Sequence, residues 1–548
     1  MLAAPSVVQL TVVKKIISLD INPSQVVLNV PDAMAVRIPP SLLVFSSQSA
    51  NITVLNRKTW TPDQGIIYYF SPVFFNPLRR LSPSVLQGFT CTSVQKMTQF
   101  RTKELIRACR RRAGQAKVQL KESQLTCMLN LLSGEISQNF TDYPSDMLLY
   151  LSSKNVNKGN CRSYFSALGA ADFSVASKIL NKGSQLFREA TACLGINGLR
   201  LSRQNVEILG NMACTLDGSY IQNADPLILE KLKACNDFSA SQVAAMETLL
   251  LSGTTQYGNA ASWNEQTLEN LVPLPLYFTR NIWSRFSFTT KKMFLKTFMP
   301  KLRKANTEKS KLKTLFQKIS SLTTKREAGC TMGSITQVIV SDPSFPFGYD
   351  LMQFDLCLDV PVLKENLNSI CNKVDDNGFQ TVILKKLNEV FCMGILRKTD
   401  GKGVPDQDVQ VLGSVSRVAS LDDISKWNIT KIDTLAALMK PEDGPWEAAK
   451  SNKIITQYLS TFGNSLGSTE LTIIDSNLCS LNTSTLQTIS PDSIRNASSL
   501  NVSACSAEQK KVLYDISKTS FSSQRSSFSI SYQLIKPYLG ENAFCLFA

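Results

Sequence analysis

The sequence predicts an all-α protein made of many short helices and stapled by disulfides. Three observations predict it. Capping residues recur directly before apolar runs of helical spacing. Strand-like alternation is scarce, and Ser334 to Val340 is the best candidate for extended structure. Fourteen cysteines are spread widely, none closer than the fourteen residues separating Cys357 from Cys371. Intervals of eighteen (Cys91, Cys109, Cys127) and twenty-one (Cys193, Cys214, Cys235, and again Cys371 to Cys392) recur. With no C-x-x-C, this spacing fits structural disulfides and gives no support to a zinc ribbon or a thioredoxin-type site. The alternative is buried free cysteine, packed as a small hydrophobe.

Residues 1–80 are hard to read. Pro39-Pro40 and Asn76-Pro77 punctuate them, and Tyr68-Tyr69-Phe70 and Phe74-Phe75 are apolar contact material. From Ser82 the pattern is helical. Ser82-Pro83 is a start signal, because Ser can cap a free N–H and Pro at the first position loses no bond. Asp225-Pro226 and Ser490-Pro491 repeat the device. Ser239-Ala-Ser-Gln242 is a capping box, with Phe238 and Val243 placed as a hydrophobic staple. Met246, Leu249 and Leu250 then form one face, and the helix stops near Gly253. Ser506-Ala-Glu-Gln509 has the same spacing.

The helical units look related. Val206-Glu-Ile-Leu209-Gly210, Val409-Gln-Val-Leu412-Gly413 and Leu471 to Ile474 each lead into a further apolar unit. Val206, Leu209, Gly210 and Ala213 fall on one helix face, where Gly permits close approach of a neighbour. Degenerate helix–turn–helix units in a long chain read as a solenoid, each unit burying its face on the next. An ordinary all-α globule with chance similarity stays open beside it.

At 548 residues the chain is long for one core. No apolar run reaches the ~18 residues of a membrane span. There is no histidine, which removes Ser-His-Asp and Cys-His sites and every His-containing zinc site. Asp422-Asp423 and Asp375-Asp376 are adjacent acids that face different ways on a helix, and Gly401-Lys-Gly403 is too short for a phosphate loop. No enzyme, cofactor or metal is expected.

Charge divides the chain. Residues 1–326 carry a net +21 and residues 327–548 a net −5. Between Arg280 and Arg326 stand fourteen Lys or Arg and one acid, Glu308, ending in the dibasic pair Lys325-Arg326. The expected organisation is an N-terminal helical half (1–279), a basic linker (280–326) ending in a processing site, and a C-terminal helical half (327–548). A solvated helix face is the plainer reading of the basic stretch. Its aromatics, Trp283, Phe286, Phe288, Phe294 and Phe298, would suit stacking on single-stranded nucleic acid. In a secreted protein, acidic glycans or mucins fit the same charge better.

Six sequons, at Asn51, Asn139, Asn428, Asn482, Asn496 and Asn501, join the cysteines in favouring an extracellular, secreted or cell-surface glycoprotein. No leader or anchor tail is legible, so the expected chain is incomplete at an end or a soluble variant.

Leu209-Gly-Asn-Met-Ala-Cys-Thr-Leu216, Tyr257-Gly-Asn-Ala-Ala-Ser-Trp263, Trp427-Asn-Ile-Thr430 with Thr434-Leu435, and Leu478-Cys-Ser-Leu481 with Ser490-Pro-Asp-Ser-Ile494 and Cys505 resemble the mesothelin family, which includes otoancorin and stereocilin. The co-linear match runs from about Leu199 to Gly540. The resemblance implies a superhelical stack of armadillo-like repeats and a surface glycoprotein without catalytic activity, active in cell adhesion. It implies processing at a basic site aligned with Lys325-Arg326, although Thr323 stands where a strong site carries Arg. The family's lipid anchor would lie beyond Gly540. A mucin-type partner would dock on Glu327 to about Phe391, including Phe345, Phe347, Tyr349 and Phe354. Local disulfides are expected at Cys214–Cys235, Cys330–Cys357, Cys371–Cys392 and Cys479–Cys505, of which the resemblance supports Cys330–Cys357 best. Each closes a loop that chain entropy values at roughly 3 kcal/mol.

Overall fold

A computed structural model describes residues 4–45, 51–70, 78–95, 97–111, 114–132, 136–175, 182–305, 307–319, 329–395, 403–522 and 528–539. The described residues are mostly helical and contain no strand, only the isolated parallel bridges Leu201–Ala224 and Val404–Trp427. The longest helix among the described residues, Asn377–Ile395, has 19 residues. The extended reading of Ser334 to Val340 is corrected: Thr336 caps the helix Gln337–Ser341 by accepting the Ile339 N–H. A Thr cap outweighs the β preference of the valines and isoleucines behind it.

The start signals behave as their chemistry dictates, with exceptions. Ser239 and Ser506 each close a full capping box, over Ala240–Leu251 and Ala507–Ser520. Ser490 accepts the Ser493 N–H ahead of Pro491–Arg495. Ser82 precedes Pro83–Leu86 without a side-chain cap bond, and Asp225 holds the Leu227 N–H one turn before Ile228–Leu232 begins.

The three related units share a backbone. Each has a helix, a corner at positive φ, a six-residue 3-10 segment, and then a freshly capped short helix. The corners are Gly210 (φ 52°), Gly413 (φ 51°) and Asp475 (φ 45°), opening the 3-10 segments Gly210–Thr215, Gly413–Val418 and Asp475–Ser480. Asp217, Ser420 and Asn482 cap the short helices Gly218–Gln222, Leu421–Ser425 and Thr483–Leu486. Four residues before each corner Val206, Val409 and Leu471 are fully buried, and one residue before it Leu209, Leu412 and Ile474. Four residues after it stand Cys214, Arg417 and Cys479. Cys214 bonds Cys235 and Cys479 bonds Cys505. Arg417 does the same tethering without sulfur. Its guanidinium donates to Gly444 O at 2.8 Å and Lys440 O at 3.0 Å and lies 4.1 Å over the Trp446 ring.

A glutamine clamp ties such units together. Gln242 Oε1 accepts the Ser239 N–H, and its Nε2 donates to Cys214 O (3.0 Å) and Leu216 O (2.9 Å). Gln509 repeats this on Cys479 O and Leu481 O, and Gln124 on Gln87 O and Phe89 O. One side chain therefore caps its own helix and satisfies two carbonyls of the preceding loop. Gln242→Glu keeps the accepting oxygen and loses the donor. It is expected to destabilise the surrounding residues by about 2–3 kcal/mol, since two carbonyls and a carboxylate then face one another. Urea unfolding read by hydrogen exchange on Ala240–Leu251 measures it, and a loss under a few tenths of a kcal/mol would remove the clamp from the fold's determinants.

The compact units do not follow the charge boundary. One consists of residues 45–294, and the other of residues 1–44 together with 295–548. In the second unit the helix Ser6–Leu19 buries Val7, Leu10 and Val13 and packs on Ile432–Leu438. Lys14 Nζ meets Thr469 Oγ1, and Ser41 Oγ donates to Arg495 O at 2.7 Å. The expected linker 280–326 is also corrected where it is described. It forms the helices Arg280–Trp283, Phe288–Lys304 and Lys309–Ile319. Phe294, Leu295, Phe298, Met299 and Leu302, then Leu312, Leu315 and Ile319, bury one stripe of each long helix.

Candidate functional site

The basic helices meet acids of their own chain. Lys296 pairs with Asp342 at 3.1 Å, Arg303 with Asp375 at 3.5 Å, and Lys309 with Asp443 at 2.9 Å. Arg303 also donates to Lys373 O at 2.9 Å, and Gln317 to Asp376 at 2.9 Å. Burial pushes the Asp375 carboxyl up, opposed by Arg303 and Lys309. Burial also acts to raise Asp342, but the Ser344 hydrogen bonds and Lys296 hold it below the usual carboxylate range. The step in net charge is thus a seam inside the unit of residues 1–44 and 295–548. Three of its cations, Lys296, Arg303 and Lys309, are engaged by that unit's own carboxylates. Lys325 and Arg326 lie outside the described residues.

The same helices close an aromatic core. Phe316 sits 5.9 Å from Phe379 and 6.3 Å from Phe347; Phe354 sits 4.6 Å from Phe379 and 6.1 Å from Phe345. Phe345, Phe347, Tyr349 and Phe354 are all buried, between 0% and 8% exposed. The expectation that these four rings meet a partner is corrected: each faces inward, where a large ring contributes most by leaving water.

Around this core the segment 329–336 is strapped to the helix Leu351–Cys357. Cys330 bonds Cys357. Gln353 accepts the Thr331 N–H and donates to Gly329 O, Tyr349 Oη donates to Gly333 O, and Ile335 N–H donates to Cys357 O. The strap leaves apolar side chains outside: Met332 (53%), Val338 (80%), Leu351 (49%), Met352 (43%) and Leu356 (43%). Sequence reasoning missed them because it chose aromatics by size; the signal it lacked was the phase of each short helix.

Among the described residues five disulfides are present: Cys91–Cys127, Cys161–Cys193, Cys214–Cys235, Cys330–Cys357 and Cys479–Cys505. The first two were not foreseen. Cys371–Cys392 is corrected. Cys371 is a free, buried thiol that burial pushes up to about 12, so it is held as a neutral hydrophobe. The Cys392 side chain lies outside the described ones.

Five of the six sequon asparagines are exposed, and Asn428 is half-buried. Asn51, Asn139, Asn482 and Asn501 each use Oδ1 as a local acceptor. The amide nitrogen, which a glycan would substitute, takes no part in those bonds. Asn496 differs, donating Nδ2 to Asp492 O.

An all-α, disulfide-stapled chain with sequons on its surface is an extracellular or cell-surface type of protein. A family model described as Mesothelin matches residues 38–544. The chain belongs to the mesothelin family. It is 28% identical over 461 residues to the mesothelin-like protein of Homo sapiens, covering 83% of this chain and 63% of that protein. It is 29% identical over 474 residues to the mesothelin-like protein of Mus musculus, covering 84% and 66%. Against the mesothelin of Mus musculus it is 24% identical over 470 residues, covering 84% and 71%. The chain spans less than two-thirds of the length of the two mesothelin-like proteins.

Proposed function

We propose that this chain is a non-enzymatic glycoprotein of the cell surface or extracellular space, acting in cell adhesion by binding a mucin-type or other surface glycoprotein. Family membership over residues 38–544 carries the reading. The five disulfides and the exposed sequons support the compartment. The docking surface is the strapped platform around Cys330–Cys357, with Val338, Met352 and Leu356 as the side chains that would enter a partner. Val338 stands on the helix Gln337–Ser341 and Met352 and Leu356 on the helix Leu351–Cys357, the second cross-linked by Cys330–Cys357; exposed apolar side chains near a cross-link suit an interface core, since ordering cost is low and desolvation gain high.

The test is binding of the secreted chain to a purified mucin ectodomain, wild type against Val338→Asp/Leu356→Asp. A loss of at least about tenfold is expected, the scale of two truncated interface side chains, with an unchanged melting curve. Equal binding of both proteins would reject this surface, and no binding by the wild type would reject the mucin-type partner.

A further inference from the structure

Asn428 lies between two buried neighbours, Trp427 and Ile429, on the extended segment that forms the bridge Val404–Trp427. Side chains alternate along extended backbone, so Asn428 is turned away from the core that takes those two. Its backbone N–H donates to Val404 O at 2.8 Å, while its side chain enters no hydrogen bond among the described residues. One loop is fastened on both sides of it. Gln457 Nε2 donates to Trp427 O, and Asn464 Nδ2 donates to Thr430 O at 3.0 Å. The chain between these two feet carries Phe462, which is fully exposed (105%). We propose that Asn428 carries an N-glycan whose first sugars lie on the Phe462 ring, so that the chain's own glycan covers this aromatic.

The loop is built to hold the ring still. The helix Ala448–Leu459 ends at its C-cap, Ser460. Thr461 N–H then donates to Tyr458 O at 3.2 Å, Asn464 N–H donates to Thr461 O at 3.1 Å, and Gly463 turns at φ 88°. Asn464 Nδ2 also reaches Tyr458 O at 2.9 Å. The sequon is fixed as well. Thr430, its third residue, gives its N–H (3.0 Å) and its hydroxyl (2.7 Å) to the Asp406 carboxylate. Ring and sequon therefore stand on neighbouring, hydrogen-bonded backbone, and little freedom is left to lose when a sugar settles on the ring.

A single exposed apolar side chain ordinarily calls for no explanation. Phe462 differs in degree and in setting. Its ring keeps all of its surface, and the residues around it in the loop, Ser460, Thr461, Gly463, Asn464 and Ser465, are polar or glycine. A protein interface core needs a contiguous patch, which this loop lacks. One ring instead matches one sugar face, whose C–H groups meet the negative face of the π-system. The proposal rests on the extracellular reading, but not on a mucin partner or on the platform at Cys330–Cys357.

The test uses the full chain secreted from cells that N-glycosylate, with the occupancy of each sequon read by peptide mass spectrometry. Asn428 is expected to be occupied. Hydrogen exchange over 460–464 then compares wild type, Phe462→Ala, Asn428→Gln and the double variant. In the glycosylated chain Phe462→Ala is expected to speed exchange by at least about twofold, the lower end of coupling between groups in contact. In the Asn428→Gln background it is expected to change nothing, because the bare ring touches nothing; a folding defect would appear in both backgrounds. Phe462→Trp is expected to keep the protection. Sugar proton resonances are expected to be shifted upfield by the ring and to return on Phe462→Ala. Glycans at other sequons with Asn428 bare, equal effects of Phe462→Ala in both backgrounds, or sugar resonances indifferent to the ring would each overturn the proposal and leave the extracellular reading standing. No glycan at any of the six sequons would overturn both.

Discussion

A chain cut anywhere between Ile319 and Gly329 is expected to remain one particle. None of the five disulfides among the described residues joins the two sides of such a cut, so cohesion among those residues would be non-covalent. It would nonetheless be large. The N-terminal side contributes two separate pieces to the unit that also holds residues 329–548. One is the segment 1–44, with Val7, Leu10 and Val13 buried and Ser41 bonded to Arg495 O. The other is 295–319, whose Leu295, Phe298, Met299, Leu302, Leu312, Leu315 and Ile319 are all buried. At about 1.5–3 kcal/mol for each large apolar side chain, the gross term exceeds 10 kcal/mol before any ion pair is considered. Even after the cost of association, a dissociation constant well under about 1 μM is expected. The seam of Lys296–Asp342, Arg303–Asp375 and Lys309–Asp443 adds register more than affinity, because such pairs roughly offset their own desolvation.

The measurement inserts a specific protease site into 320–328, cuts it, and follows size-exclusion chromatography in physiological buffer and in 6 M guanidinium. Co-elution in the first and separation in the second is the expected result. Two independent peaks in physiological buffer would show that the unit does not hold across the cut. The outcome bears on processing directly. If Lys325-Arg326 is a processing site, as the family resemblance implies, cleavage alone would not release the N-terminal part; a further step that opens the packed helices would be required.

Charge made this region misleading when only the sequence was read. A run of fourteen cations with one acid looks like a segment that repels itself. The acids that meet it, Asp342, Asp375 and Asp443, lie tens of residues away, and pairing at that separation leaves no local pattern. The start of the chain failed for a related reason. Val7, Leu10 and Val13 form a narrow apolar stripe, but their neighbours on Ile432–Leu438 are more than four hundred residues distant. What was legible was local: the capping boxes at Ser239 and Ser506, the all-helical class, and the likeness of the units at Val206, Val409 and Leu471. That likeness has a physical basis, since each unit turns the same positive-φ corner into the same 3-10 segment. The aromatic residues chosen as a docking face failed because size alone does not distinguish core from interface; exposure at Val338 and Leu356 depends on helix phase over elements only five and seven residues long.

The corner also yields the largest expected effect of a single methyl group. Gly210 stands at φ 52°, ψ −126°, a conformation for which an L side chain is strained by about 1–3 kcal/mol. A Cβ there would lie 2.3 Å from Gly169 O and 2.9 Å from Gly169 C. That carbonyl cannot step aside cheaply, because it accepts the Asn211 N–H at 2.7 Å. Gly169 is itself confined, since a Cβ on it would meet Ile208 O at 2.5 Å. Gly210→Ala must therefore separate two backbones, and a total near 4 kcal/mol or more is expected, at the upper end for one substitution. Gly413 supplies the control. Its φ is 51°, but the nearest atom to a Cβ there would be an Asp443 carboxylate oxygen, at 3.5 Å, so Gly413→Ala carries backbone strain without a clash, about 1–2 kcal/mol. Asp475 shows that strain of this kind is tolerable, as it holds φ 45° while its carboxylate accepts the Asn501 N–H at 2.8 Å. Native-state hydrogen exchange of each variant, read on Arg203–Leu209 for one and on Leu421–Ser425 for the other, measures the two costs where they arise. A Gly210→Ala loss within about 1 kcal/mol of the Gly413→Ala loss would mean that the Gly169 contact adds nothing, leaving the glycine at this corner a matter of backbone strain alone.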